Sequence, residues 1–195
     1  NGFGFETWAG NLISESASDA VVVIATEGIT PIEVGGSVDP HAWNSLKNGM
    51  VYARNIAASL SDIAPWLADQ VNANAQAYVQ RLESIDRDIA RRVSRLPEAS
   101  RTVVTSHDAF GYLAEDYGLT FLAPKGIGTD AEPTAQKLAE LIEQLKNVDA
   151  AAIFAENVTS PALINQIALE TGLEVGGRLY SDALSVRGGP AKSYV

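Results

Sequence analysis

The chain has 195 residues, two histidines, no cysteine and a formal net charge of −10. Its 46% hydrophobic and 19% charged residues are typical of a globular protein with one large domain or two small lobes, and they exclude a disordered chain. The acidic balance argues against nucleic acid or an anionic membrane as the main partner, and the lack of cysteine excludes disulfides and thiolate metal sites.

Short runs of apolar residues alternate with amphipathic stretches along most of the chain. The apolar runs predict strands at residues 20–25, 101–105, 119–122, 150–155 and 174–179,. The amphipathic stretches predict helices at 43–60, 109–117, 133–146 and 161–171,. Thr129 or Asp130 is expected to cap the helix at 133–146, and Ser160 with Pro161 starts the last one. The alternation predicts an α/β fold with a mostly parallel sheet flanked by helices.

One segment has an uninterrupted helical period between Pro65 and Pro97. Its apolar residues recur every three or four positions: Leu67, Val71, Ala75, Tyr78, Leu82, Ile85, Ile89, Val93 and Leu96. This spacing predicts a helix of about 30 residues. A coiled-coil arm is one interpretation, but the α/β segments on both sides favour a helix that connects two lobes.

These patterns predict three parts. Residues 1–64 are expected to be the remainder of an N-terminal α/β lobe, residues 65–97 a long rigid connecting helix, and residues 98–195 a C-terminal α/β lobe. Neither end carries a capping or polar tail, so we expect a chain that is truncated at both termini. No apolar run reaches the roughly 20 residues that cross a bilayer.

Both histidines fall where a strand or loop meets a predicted helix. His41 follows an Asp-Pro pair, and His107 follows the strand predicted at 101–105. Asp182 and Glu156 each stand at the carboxyl end of a predicted strand, where open α/β sheets bind ligands. Each residue has an ordinary structural alternative, such as a helix cap for Asp182 or a surface position for His41. Their shared setting favours a common metal site.

The chemistry of such a site leaves two alternatives open. Imidazoles with one carboxylate suit zinc, and they suit manganese or iron when more carboxylates join. Three ligands leave a tetrahedral zinc ion one ligand short. A water in that position would indicate a zinc hydrolase, whereas a residue upstream of Asn1 would indicate a closed binding site. The chain has neither a Gly-x-Ser-x-Gly nor a His-Glu-x-x-His motif,, so we expect no enzyme.

Four segments resemble the solute-binding proteins of zinc and manganese ABC importers. They are residues 1–8 (Asn-Gly-Phe-Gly-Phe-Glu-Thr-Trp), 39–43 (Asp-Pro-His-Ala-Trp), 106–112 (Ser-His-Asp-Ala-Phe-Gly-Tyr) and 180–185 (Tyr-Ser-Asp-Ala-Leu-Ser). The resemblance implies two α/β lobes, with His41, His107 and Asp182 on the metal and a further histidine ahead of Asn1. Within that family, glutamate at the position of His107 resembles the manganese binders, whereas the histidine found here resembles the zinc binders. The resemblance therefore implies zinc, with a manganese-binding relative as the alternative.

The resemblance also implies a function. We expect a monomer that captures Zn²⁺ in the periplasm or outside the cell, with or without a lipid anchor, and delivers it to the membrane subunit of an ABC importer. Glu156 and Asp108 are expected to hydrogen-bond to the metal ligands and orient them. A surface adhesin is a further alternative.

Overall fold

The structure is a computed structural model that describes residues 1–16, 19–129, 133–148 and 150–195. Contacts between residues divide the chain into two compact units, residues 1–88 and residues 89–195. The predicted division into 1–64, 65–97 and 98–195 stays a prediction. Among the described residues, no helix combines the length and the apolar character that crossing a bilayer requires.

The first unit is mainly helical. Its helices are α1 (Thr7–Glu15), α2 (Leu46–Ile63) and the greater part of α3 (Ala68–Val93), and 3₁₀ turns at Ala42–Asn44 and Pro65–Leu67 precede the last two. The Ser45 side chain accepts a hydrogen bond from the Asn48 amide and so caps α2,. The long helix predicted at 65–97 is confirmed over most of its length, but α3 ends at Val93.

Two features of the first unit differ from the sequence-based expectations. The strand predicted at 20–25 forms no strand pairing with the described residues, and Val21 to Ile24 are exposed. A strand is defined by hydrogen bonds to a neighbour, and an apolar run cannot supply that neighbour. Helix α1 was not predicted, and its nine residues are buried nowhere along its length.

A short hairpin precedes the segment that carries His41. Strands β1 (Glu33–Val34) and β2 (Ser37–Val38) pair in antiparallel register. Gly35 and Gly36 connect them with φ angles of 59° and 83°, which suit a tight hairpin turn that needs two left-handed residues. This hairpin is the only strand pairing of the described part of the first unit, so the expected parallel sheet is not found there.

The second unit confirms the predicted α/β class. Its strands are β3 (Thr102–Val104), β4 (Thr120–Leu122), β5 (Ala152–Glu156) and β6 (Val175–Leu179), which form a parallel sheet in the order β4-β3-β5-β6. Its helices are α4 (Gly111–Tyr117), α5 (Ala135–Lys146) and α6 (Pro161–Thr171). The buried core consists of apolar residues from the sheet and the two longer helices: Val104, Leu141, Leu145, Ile153, Ile164 and Ile167.

The strand order determines where a ligand site can form. The chain passes from β3 to β4 on one side and then crosses back to β5 on the other side of β3. Open α/β sheets bind ligands at such a reversal, beyond the carboxyl ends of the strands. The segments that follow β3, β5 and β6 are therefore the part of the second unit that matters for function.

The predicted helix caps are confirmed in part. Ser160 caps α6 with Pro161 in its first turn, as predicted. Helix α5 is capped by Thr134 rather than by Thr129, because the side chain that caps a helix must reach an amide in its first turn; Asp130, the other candidate, lies outside the described residues. The segment before α4 also contains Ser106 and Asp108, yet α4 starts beyond both, after Phe110, without a side-chain cap.

Candidate metal centre

In the first unit, His41 is a buried residue held by its neighbour Asp39. One carboxylate oxygen of Asp39, Oδ1, accepts a hydrogen bond from the His41 backbone amide at 2.9 Å and lies 2.6 Å from the imidazole Nδ1. Both side chains are almost completely buried. A buried carboxylate on Nδ1 orients the ring and leaves Nε2 as the nitrogen on the opposite side of the imidazole.

In the second unit, His107 has a similar arrangement with a different partner. It lies just beyond the carboxyl end of β3, and its side chain is fully buried. Its Nδ1 lies 2.7 Å from Oε2 of Glu156, the last residue of β5. Both histidines of the chain therefore have a buried carboxylate on Nδ1.

Glu156 connects three segments of the second unit. Its Oε1 accepts hydrogen bonds from the backbone amides of Ser106 and His107, at 2.8 and 3.0 Å. Its Oε2 accepts a hydrogen bond from the Ser181 hydroxyl at 2.6 Å, in addition to the contact with His107. One buried carboxylate thus fixes both the loop that carries His107 and the loop that carries Asp182.

Asp182 lies in the loop that follows β6, and its carboxylate faces His107. Its Oδ2 is 3.2 Å from Nε2 of that histidine. The loop is held on both sides of Asp182, by the Ser181 hydrogen bond and by the side-chain amide of Asn157, whose Nδ2 donates to the Ala183 carbonyl at 2.9 Å. No helix follows Asp182 within the described residues 181–195, so the alternative of a helix cap is wrong.

The electrostatics of the second unit follow from these contacts. Burial by itself lowers the pKa of His107, but hydrogen bonds and charge interactions with Asp182 and Glu156 outweigh that effect and raise the pKa to about 9,. Burial raises the pKa of Glu156, whereas its hydrogen bonds with His107 and Ser181 lower it, and the net direction is downward. Without a metal, the imidazole is a cation between two carboxylates at neutral pH.

The predicted residues are thus distributed over the two units. His107, Asp182 and Glu156 lie together in the second unit, and His41 belongs to the first. The backbone amide of Asp108 donates to the Gly126 carbonyl, and its predicted role in orienting ligands stays a prediction.

Sequence reasoning missed Asp39 and Ser181 as partners of the site residues. Asp39 could have been identified from its position two residues before His41. Ser181 could not, because it reaches Glu156 across 25 residues of sequence.

The whole chain matches one known protein family. The family described as the periplasmic component A of the zinc-uptake complex matches residues 1–195, which is the whole chain. The chain belongs to this family. The resemblance seen in the four sequence segments is confirmed.

Individual relatives of the chain differ in the metal for which they are named. The iron-binding protein YfeA of Yersinia pestis is 34% identical, and the match covers 100% of this chain and 64% of that protein. The manganese-binding lipoprotein MntA of Halalkalibacterium halodurans is 31% identical, with 100% and 65% covered. The chain therefore spans less than two thirds of the length of these relatives.

One solved structure that the chain matches is named as a zinc-binding protein. The periplasmic zinc-binding protein TroA of Treponema pallidum matches with a TM-score of 0.92 and 28% identity, over 100% of this chain and 73% of that one. The chain thus shares the fold of this solved protein, including the parallel sheet flanked by helices and the long helix. Names of relatives do not agree on the metal, so the metal has to be argued from the ligands.

Proposed function

We propose that this protein captures zinc outside the cytoplasmic membrane and delivers it to an ABC importer, with His41, His107 and Asp182 as ligands of the ion. One observation carries the proposal: both histidines of the chain are buried with a carboxylate on Nδ1. That arrangement is the usual way in which proteins fix the tautomer of a histidine that binds a metal through Nε2. A metal-binding role explains why each buried imidazole lies next to a buried acid.

The geometry of the second unit supports the ligand set. Nε2 of His107 and Oδ2 of Asp182 face one another at 3.2 Å, so both atoms can bind one ion after a small separation. In the absence of metal, a proton on Nε2 fills the space between them. A zinc ion that replaces this proton would keep the charges of Asp182 and Glu156 compensated, and His41 would supply a third ligand from the first unit.

The choice of zinc follows from the donor atoms. Two neutral imidazoles and one carboxylate match the nitrogen and oxygen ligands of zinc, whereas manganese prefers more carboxylate and carbonyl oxygen. Manganese is therefore the second candidate, and iron follows because one relative is named for it.

Binding and transport are favoured over hydrolysis. A zinc hydrolase needs a general base that can take a proton from the metal-bound water. Glu156 is the acid next to His107, but its two oxygens already accept from two backbone amides, a serine hydroxyl and the imidazole. An acid with four partners orients its neighbours and is a poor base. The relatives described above are named as binding proteins and not as enzymes.

The proposal is tested by metal competition in the natural full-length protein. Zinc, manganese and iron(II) are titrated against a chelator of known affinity, in the wild type and in His41→Ala, His107→Ala and Asp182→Ala. We expect zinc to bind most tightly and each variant to lose at least about tenfold in affinity, since each removes a ligand. Tighter binding of manganese than of zinc would overturn the choice of metal. Wild-type affinity in any of the three variants would overturn the ligand set.

A further inference from the structure

The first unit contains a second residue that holds His41, and it does so through the backbone. The side-chain amide of Asn1 donates from Nδ2 to the Pro40 carbonyl at 3.0 Å. The other end of the same peptide group is the His41 amide, which donates to Oδ1 of Asp39 at 2.9 Å. Both the oxygen and the N–H of the Pro40–His41 peptide are therefore held by side chains.

We infer that Asn1 is a positioning residue for His41, because its amide fixes the peptide plane from which the metal-binding imidazole projects. The inference rests on the proposed function, since it takes His41 as a metal ligand. Asp39 fixes the ring of His41 through Nδ1, and Asn1 fixes the backbone to which that ring is attached. A ligand held at both points binds the metal without first having to be ordered.

The Asn1 amide is itself fixed in one orientation. Its Oδ1 accepts a hydrogen bond from the Tyr52 hydroxyl on α2, which leaves the NH₂ group to face the Pro40 carbonyl. The Asn1 side chain is only 8% exposed. An aspartate in this position would still accept from Tyr52, but it would have no donor for Pro40 and would place a negative charge near a carbonyl oxygen.

The backbone of Asn1 is anchored as well. Its carbonyl accepts two hydrogen bonds from the buried residue Thr26, one from the amide and one from Oγ1, both at 3.1 Å. The next residue is Gly2 with a φ of +123°, and a Cβ there would lie 2.1 Å from Oγ1 of Thr26. Only glycine permits this close approach. The anchored backbone explains how a side chain 40 positions away in the chain can hold the His41 peptide in a defined place.

The second unit offers a matched control. Asn147, at the C-terminal end of α5, donates from Nδ2 to the Glu143 carbonyl at 2.8 Å. It makes the same kind of bond as Asn1, from a side-chain amide to a backbone carbonyl, but it holds the end of α5 and not the His41 peptide. Asn147→Asp therefore repeats the chemistry of Asn1→Asp at a position outside the segments that hold Asn1 and His41.

The experiment compares Asn1→Asp, Tyr52→Phe, Asn147→Asp and His41→Ala in the full-length protein. Zinc affinity is measured by chelator competition, the zinc dissociation rate by stopped flow, and folding stability by thermal unfolding of the metal-free protein. Partners that orient a metal ligand change affinity by about 10- to 100-fold. We expect Asn1→Asp to weaken zinc binding by about tenfold and to speed dissociation, and Tyr52→Phe to do the same to a smaller extent. Asn147→Asp is expected to leave the zinc affinity and the dissociation rate unchanged.

A second readout separates positioning from general loss of structure. The Nδ1 proton of His41, in its hydrogen bond with Asp39, is followed by NMR of the metal-free protein. We expect Asn1→Asp to broaden or shift this signal and Asn147→Asp to leave it unchanged. Equal losses of affinity in Asn1→Asp and Asn147→Asp, or wild-type affinity in Asn1→Asp while His41→Ala loses zinc, would overturn the inference alone. Wild-type affinity in His41→Ala would instead overturn the proposed ligand set.

Discussion

The imidazole Nδ1 of His107 lies 2.7 Å from Oε2 of Glu156, and both side chains are fully buried. The two residues are 49 positions apart in sequence, yet the same carboxylate also binds the backbone amide of His107. Glu156 thus determines both the position and the tautomer of this histidine. If His107 binds a metal, the strength of that binding depends on an acid that never touches the ion.

The variant Glu156→Gln tests this dependence. Glutamine has nearly the same shape, but its NH₂ group can only donate, and it would face either the two backbone amides or the His107 Nδ1–H and the Ser181 hydroxyl. We expect zinc affinity to fall by about 10- to 100-fold, measured by chelator competition.

The matched control for that variant is Glu143→Gln. Glu143 makes an exposed ion pair with Lys146 on α5, and such pairs contribute little to stability. The control should bind zinc like the wild type. A Glu156→Gln protein that is folded and binds zinc with wild-type affinity would show that Glu156 does not position His107.

Metal binding should release protons at neutral pH. The pKa of His107 is raised to about 9 by Asp182 and Glu156, so the imidazole is protonated at pH 7.5 and must lose its proton before Nε2 can bind zinc. Zinc affinity should therefore rise with pH until about pH 9. Isothermal titration calorimetry in two buffers with different ionisation enthalpies measures the number of protons released, and a value of zero at pH 7.5 would contradict the assignment of His107 as a ligand.

The same raised pKa has a consequence for the metal-free protein. Below about pH 6.5, the ordinary pKa of histidine, the imidazole is protonated in both the folded and the unfolded chain, so its interactions with the carboxylates stabilise the fold in full. As pH rises through 9, the folded chain loses this proton and the stabilisation disappears. Urea unfolding between pH 6.5 and 9.5 should show a falling free energy of unfolding. His107→Gln should lose this slope, and a wild type without the slope would contradict the raised pKa.

Position 107 should determine the preference between metals. His107→Glu replaces a nitrogen ligand by a carboxylate, which manganese accepts more readily than zinc does. We expect the ratio of manganese affinity to zinc affinity to increase by at least about tenfold relative to the wild type. His107→Gln removes the imidazole without adding a charge and separates loss of the ligand from gain of a carboxylate. An unchanged ratio in His107→Glu would show that other residues select the metal.

The sequence predicted the second unit better than the first for a physical reason. The runs that became β3, β4, β5 and β6 find their neighbours within residues 89–195, so apolar pattern and strand pairing agree. Val21 to Ile24 has the same pattern but no strand to pair with among the described residues. A pattern indicates which segments can form strands, and only the available partners decide whether they do.

The residues of the candidate site were also predicted only in part. His41, His107, Asp182 and Glu156 could be found because each follows a recognisable local change from a strand or loop to another element. Their hydrogen-bond partners were harder to find. Ser181 and Asn1 act through bonds that span 25 and 39 residues, and no local pattern records which distant donor will reach a given acceptor.

A substitution in the buried core next to the site should lower folding stability without lowering metal affinity. Ile153 is fully buried in the core of the second unit, three residues before Glu156, and Ile153→Ala should lower the free energy of unfolding by about 2 to 5 kcal/mol. Leu169 on α6 is 86% exposed, and Leu169→Ala should change it by less than about 0.5 kcal/mol. Urea unfolding of the metal-free protein measures both effects. The side chain of Ile153 is apolar and packs in the core. The folded fraction of Ile153→Ala should therefore still bind zinc within about threefold of the wild type, a smaller change than the 10- to 100-fold loss expected for a residue that orients a ligand. If Ile153→Ala weakened zinc binding as much as Glu156→Gln does, the effect of Glu156 would reflect general loss of packing and not the orientation of His107.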